Sequence, residues 1–282
     1  MKRSLPASAL ATLVGLALLA GLALLAGCSG TKAVPAGTPP PSSGSVSSAP
    51  APASTSAAAS PPATAPSPGS ATAVMAASLA ALKAGRGVHV TISTVLSNGS
   101  ITYSDDAAPD GGRQYITLST GGNVTILYVG GVGYVEGNEQ GLVGFMELPV
   151  SQAQSLAGEW IAVHPGQALG ASSYADIVDG ITLSSVASEI ALDAPLTLTA
   201  PATVAGQRAI GVLGRAPASE QLPASARVTL DVAAAGSRPL RETAVASGGF
   251  TSTTSFSDWG ESVPLSAPQH PIAPVASPPV LA

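Results

Sequence analysis

The chain has almost no cysteine, few aromatic residues and little charge, and each shortage excludes something. One cysteine, Cys28, in 282 residues rules out a disulfide within the chain, so stability must come from a packed core. Lysine and arginine together number 11 against 16 aspartates and glutamates, a formal net charge of −5, which leaves no basic footprint for nucleic acid. Charged residues make up 10% of the chain and aromatics 4%, both low, so no densely charged surface is expected. The three histidines, His89, His164 and His270, are too far apart in sequence to suggest a metal cluster, and no metal or other cofactor is expected. There is no G-x-S-x-G elbow, and no Ser/His/Asp set can be assembled by motif, so no catalytic residue is assigned.

What is present starts with that lone cysteine. Lys2 and Arg3 precede a run from Leu10 to Ala26 built of Ala, Leu, Val and Gly apart from Thr12, the pattern of a secretory signal. Leu25-Ala26-Gly27-Cys28 then matches the bacterial lipobox, two small residues after a leucine and before the cysteine. The thiol is the nucleophile that accepts a diacylglyceryl group, and the small residues let a peptidase approach the backbone. Two rival readings are an uncleaved span, since about 20 apolar residues cross a bilayer, and a signal with an incidental cysteine. Position, flanking residues and the absence of other cysteines favour the lipobox. The expected location is therefore the outer side of the cell membrane, with the chain held there by acyl chains on Cys28.

Composition divides the rest. Residues 1–27 read as the signal peptide. Residues 28–72 read as the lipidated cysteine and a Pro/Ser/Ala-rich tether with too little to bury to offset the entropy of ordering. Residues 73–268 read as one domain, and residues 269–282 as a Pro-rich disordered tail. Within the domain, Ala73 to Ala84 predicts a helix ending at Gly85. After it the period becomes two: Val88, Val90 and Ile92 alternate with polar residues, and Asn98-Gly99 suits a tight hairpin turn. Further strand–turn–strand signals run through residues 114–137, including a turn at Gly130 and Gly131. One short helix is expected near Ser151 to Leu156, and one or two over Ser172 to Ile190. Strands return from Leu196 to Trp259. Short links make the strands antiparallel neighbours.

Two motifs have plain explanations. Gly131-x-Gly133-x-x-x-Gly137 lacks the following helix that a dinucleotide site requires, and reads as a hairpin turn. Asp105, Asp106 and Asp110 lack calcium-loop spacing and read as a solvated loop. Trp160 and Trp259 read as core anchors at strand ends.

Four stretches taken in order carry a resemblance: VGGVGYVEG (129–137), GEWIAVHPG (158–166), ARVTLDVAAAGSRPLRETAV (226–245) and FSDWGESVPLSAP (256–268). Together they resemble the actinobacterial lipoproteins of the LppX/LprA/LprF/LprG group, which share the LolA/LolB-like fold. The resemblance implies an α+β fold, a curved antiparallel sheet forming a half-barrel with helices over its concave face. It also implies an apolar cavity for the acyl chains of a lipid or lipoglycan, carried or presented in the cell envelope by a protein that is not an enzyme. The alternating positions Val88, Val90, Ile92, Ile116, Leu118, Val228, Leu230 and Val232 are the candidate cavity lining. A filled core would require the same stripes. Three readings therefore stay open: a lipid carrier, a scaffolding or protein-interaction module with a filled core, and a hydrolase whose site is not assembled by motif. A monomer is expected.

Overall fold

The computed structural model describes residues 69–96, 99–216 and 226–274. The signal peptide, Cys28, nearly all of the tether and the last residues of the tail lie outside them. Helix α1 (Ala71–Lys83) starts two residues before the expected position, because the Ser70 side chain accepts from the Ala73 N–H and caps it. Its buried residues, Ala71, Met75, Ser78 and Leu82, recur at helical spacing and form one face.

Fourteen strands follow in the described residues, with four short helices among them. The first hairpins are β1 (Val88–Leu96), β2 (Gly99–Ala107), β3 (Gly112–Leu118), β4 (Asn123–Val129) and β5 (Val132–Gly137). Next come α2 (Glu139–Gly144), α3 (Val150–Leu156), β6 (Ile161–Val163), a small β7 (Ala168–Leu169) and β8 (Ser172–Ser173) hairpin, α4 (Tyr174–Val178) and α5 (Leu183–Glu189). The second strand run is β9 (Asp193–Leu198), β10 (Ala202–Val204), β11 (Gln207–Arg215), β12 (Arg227–Ala233), β13 (Pro239–Val245) and β14 (Thr251–Ser257).

Twelve strands make one open sheet in the order β10-β11-β12-β13-β14-β1-β2-β3-β4-β5-β6, with β9 also on β11. Every strand pairing in it is antiparallel. The two halves join where β14 pairs with β1, placing Phe256 opposite Val90. Gly130 and Gly131 form the β4–β5 turn with φ of 62° and 80°, the left-handed values that such a two-residue turn needs. In the β1–β2 hairpin Leu96 pairs with Gly99. Gly99 therefore belongs to β2, and residues 97 and 98 lie outside the described residues.

The helices cover one face of the sheet. Helices α1 and α5 pack together over the β1, β11, β12 and β14 side, burying Met75, Leu82, Leu183 and Val186 against Val88, Val90, Val212, Leu230 and Phe256. Helices α2, α3 and α4 cover β2 to β6, burying Leu142, Leu156 and Ile177 against Ile116, Ile126, Val135 and Ile161. Ile92 packs against both clusters. The fold is thus the α+β arrangement expected: a large unclosed antiparallel sheet with helices on one face.

Two boundaries differ from expectation. A strap leaves β14 and crosses the strand ends, with the Gly260 N–H donating to the Gly87 carbonyl at 2.9 Å. It finishes beside β6, where the Ile272 N–H donates to the Trp160 carbonyl and the Ala162 N–H donates to the Ile272 carbonyl, both at 2.8 Å. The ordered chain therefore passes residue 268, because backbone pairing to the exposed edge of β6 holds the segment that composition assigned to a tail. The aspartates are the second correction. Asp105 and Asp106 belong to β2, and only Asp110 lies in a loop. The strand's period of two turns Asp105 onto the helix-covered face beside Tyr103 and Ala107, where it is buried.

Candidate functional site

One cross-strand row runs through the covered face: Phe256, Val90, Asp105, Gln114, Ile126, Val135 and Ile161, each opposite the next. All seven are buried. The row is apolar at both ends and polar in the middle, at the step between the two hydrophobic clusters. The end of α4's loop and the start of α5 lie over this step. The Leu183 N–H donates to the Ala108 carbonyl at 3.0 Å, and the Ile181 carbonyl passes so close to Gly112 that a Cβ there would collide with it.

Seven of the eight candidate lining residues, Val88, Val90, Ile116, Leu118, Val228, Leu230 and Val232, are buried. Ile92 is partly buried. They fall into two groups rather than one lining: Ile116 and Leu118 belong to the α2–α4 cluster, while Val88, Val90, Leu230 and Val232 belong to the α1–α5 cluster. Val228 is outside both, since its strand partners are the small residues Ala244 and Gly214. Alternation with Ile116 and Leu118 puts Gln114 on this side, whereas Asp105, in an aspartate-rich stretch that reads as a loop, is legible only in the structure.

Two of those polar groups are without a hydrogen bond. Gln114 is 3% exposed and its Nε2 has no partner, and the Oγ of Ser78, on the buried face of α1, has none either. An unmet buried polar group costs about 1–3 kcal/mol, and native interiors leave few of them.

The opposite, convex face holds a different cluster. His89 Nδ1 donates to Asp106 Oδ1 at 2.7 Å, and Arg113 Nη2 donates to Asp106 Oδ2 at 2.6 Å. Burial pushes the Asp106 carboxyl up, but its bonds to His89 and Arg113 and their charges outweigh this and hold it below the usual carboxylate value. Ser104 Oγ and Thr91 Oγ1 each lie 3.4 Å from His89 Nε2. Sequence spacing hid this Ser–His–Asp set because its members come from facing strands. Ser104 sits in the middle of β2, with neighbours on both sides whose ladders engage the surrounding backbone N–H groups. The Asp106 bond orients the imidazole toward Ser104 and Thr91. A cavity of about 150 Å³ separates it from the strap residues Asp258 and Glu261.

Because its folded pKa is depressed, Asp106 adds stability above its unfolded pKa, and this is lost as pH falls through the folded value. Arg113→Ala is expected to raise the Asp106 pKa, so that protonation begins at higher pH; a carboxyl NMR titration reads it directly.

Neither tryptophan is fully buried. Trp259 follows β14 and packs against the α1–α5 cluster, with Phe256 6.4 Å away and the Arg238 guanidinium 5.4 Å over its ring. Trp160, half-buried, contributes its carbonyl to the strap contact. Among the described residues no three His, Cys, Asp or Glu side chains are placed to hold a metal, and no helix is long and apolar enough to cross a membrane.

No family model matches the chain, and no curated protein matches it. Solved structures similar to it include LprF from Mycobacterium bovis, 15% identical, covering 71% of this chain and 99% of that one, with a TM-score of 0.48. The lipoprotein LppX from Mycobacterium tuberculosis is 16% identical, with 70% of this chain and 98% of that one covered and a TM-score of 0.45. A LolA-superfamily protein from Nitrosomonas europaea is 12% identical, covering 70% and 96%, with a TM-score of 0.27.

Proposed function

We propose that this chain is an exported lipoprotein, held on the outer side of the cell membrane through acyl chains on Cys28. Its half-barrel takes a lipid or lipoglycan between the covered face and the helices, and carries or presents it in the cell envelope. It acts as a monomer by non-covalent binding, with no cofactor, no nucleic-acid partner and no chemical step. The observation that carries the reading is two buried polar atoms without a hydrogen bond on the covered side, Gln114 Nε2 on β3 and Ser78 Oγ on α1, among mostly apolar neighbours. An amphiphile answers both features. Its chains take up apolar surface at roughly 25 cal/mol per Å², and its ester or hydroxyl oxygens accept from the amide and hydroxyl. The covering elements α2 to α5 are 5 to 7 residues long, too short to be stable on their own, so they can shift to admit such a molecule.

The test is direct. The full-length protein, purified and extracted with organic solvent, should yield about one lipid per chain by mass spectrometry. Gln114→Leu, of similar volume, should fold at least as stably, because it removes an unmet donor, yet retain several-fold less lipid. A blank extract combined with no binding of a fluorescent fatty acid would sink the carrier and favour a scaffolding module with a filled core.

A further inference from the structure

The convex face carries a second feature, distant from the lipid reading and independent of it. An open groove of about 430 Å³ lies across the start of β4 and the end of β5, bounded by Gly137, Asn138, Ala157 and Gly158. This volume is within the range of small-ligand sites, about 300–1,000 Å³. Its floor is Asn123, Thr125 and Glu136, with Thr125 directly opposite Glu136 in the ladder. Among the described residues, these three side chains make no hydrogen bond within the molecule. Asn138, by contrast, is bonded on both sides of its amide: its Oδ1 accepts from the Asn123 and Gly141 N–H groups and its Nδ2 donates to the Gly121 carbonyl. That bracing holds the groove's rim to the turn before β4.

Beside the groove stands Tyr115, directly opposite Thr125 on β3. It is 46% exposed, in a chain with only five tyrosines. Tyr115 and Glu136 flank Thr125 from the two neighbouring strands, roughly 10 Å apart. A half-exposed phenol ring offers a flat apolar platform with a polar tip. A carboxylate offers acceptors only, and an amide offers both donors and acceptors. Those are the requirements of a neutral sugar: one face of C–H groups to lie on the ring, and an edge of hydroxyls that donate to a carboxylate and exchange hydrogen bonds with an amide and a hydroxyl. The lack of any cation in this floor argues against phosphate or carboxylate ligands.

We infer that Tyr115, Asn123, Thr125 and Glu136 form a binding site for a neutral hexose or N-acetylhexosamine unit of a polysaccharide, on the face opposite the helices. The site leaves the helix-covered face free, so a polysaccharide and an amphiphile are bound by opposite sides of one sheet.

The experiment titrates the full-length protein, in a detergent without sugar headgroups, with cellohexaose, chitohexaose and maltohexaose by calorimetry. At least one should bind saturably. Tyr115→Ala and Glu136→Ala should each weaken it by about tenfold or more, the scale of losing one contact with a charged or aromatic partner. Tyr115→Trp should retain binding, and Thr243→Ala, elsewhere on the convex face, should not alter it. Circular dichroism checks that each variant is folded, and lipid extraction should be unchanged in all of them, which separates this site from the one on the covered face. No saturable binding of any of the three sugars, or binding that Tyr115→Ala and Glu136→Ala leave untouched, would overturn the site.

Discussion

Replacing Cys28 with alanine is expected to abolish acyl labelling and leave the precursor uncut. Only a thiol can accept the diacylglyceryl group at this position, and no second cysteine exists to take its place. The loss of labelling is expected to be complete rather than graded, because no other thiol is present to take the acyl group. Labelling with a radioactive fatty acid, followed by sizing on a gel, reads both effects. Unchanged size and labelling in the variant would show that the run ending at Ala26 acts as something other than a lipoprotein signal.

The second large effect concerns the covered face itself. Ile116→Ala is expected to lower stability by about 2–5 kcal/mol, since Ile116 is wholly buried in the α2–α4 cluster and its truncation leaves a cavity. For a domain of this size that is a fall on the order of 10 °C in melting temperature. Urea unfolding should show a lower midpoint with an unchanged slope. A cost below about 1 kcal/mol would mean that the α2–α4 cluster is not packed and that the binding space extends over Ile116. Gln114 lies two residues earlier on the same strand and faces the same way, yet Gln114→Leu is expected to be neutral or stabilising. The contrast between these neighbours separates the packed part of the face from the part offered to a ligand.

The α+β class and most hairpins were legible in the chain, and the reason is local. Val88, Val90 and Ile92, or Gln114, Ile116 and Leu118, alternate because a strand turns successive side chains to opposite faces, and Gly130-Gly131 marks a turn because few other residues accept positive φ. The same rule placed the proposed lining residues on one side but could not divide them between two clusters. That division depends on which helix lies over which strands. Asp105 was missed because three aspartates close together read as a loop, and period alone does not say that a charged residue takes the buried side.

By itself, then, the sequence determined the local matters: a lone cysteine after an apolar run, a Pro/Ser/Ala-rich segment with little to bury, strands with one apolar face and most of the turns between them. The tertiary structure alone decided what joins residues distant in the chain. It paired Val90 with Phe256, brought His89 to Ser104 and Asp106, laid Ile272 along β6, and set Thr125 between Tyr115 and Glu136. Periodicity carries no information about partner or register, because any apolar face can bury against any other. Those are settled only when the whole sheet satisfies its hydrogen bonds and covers its apolar side at once.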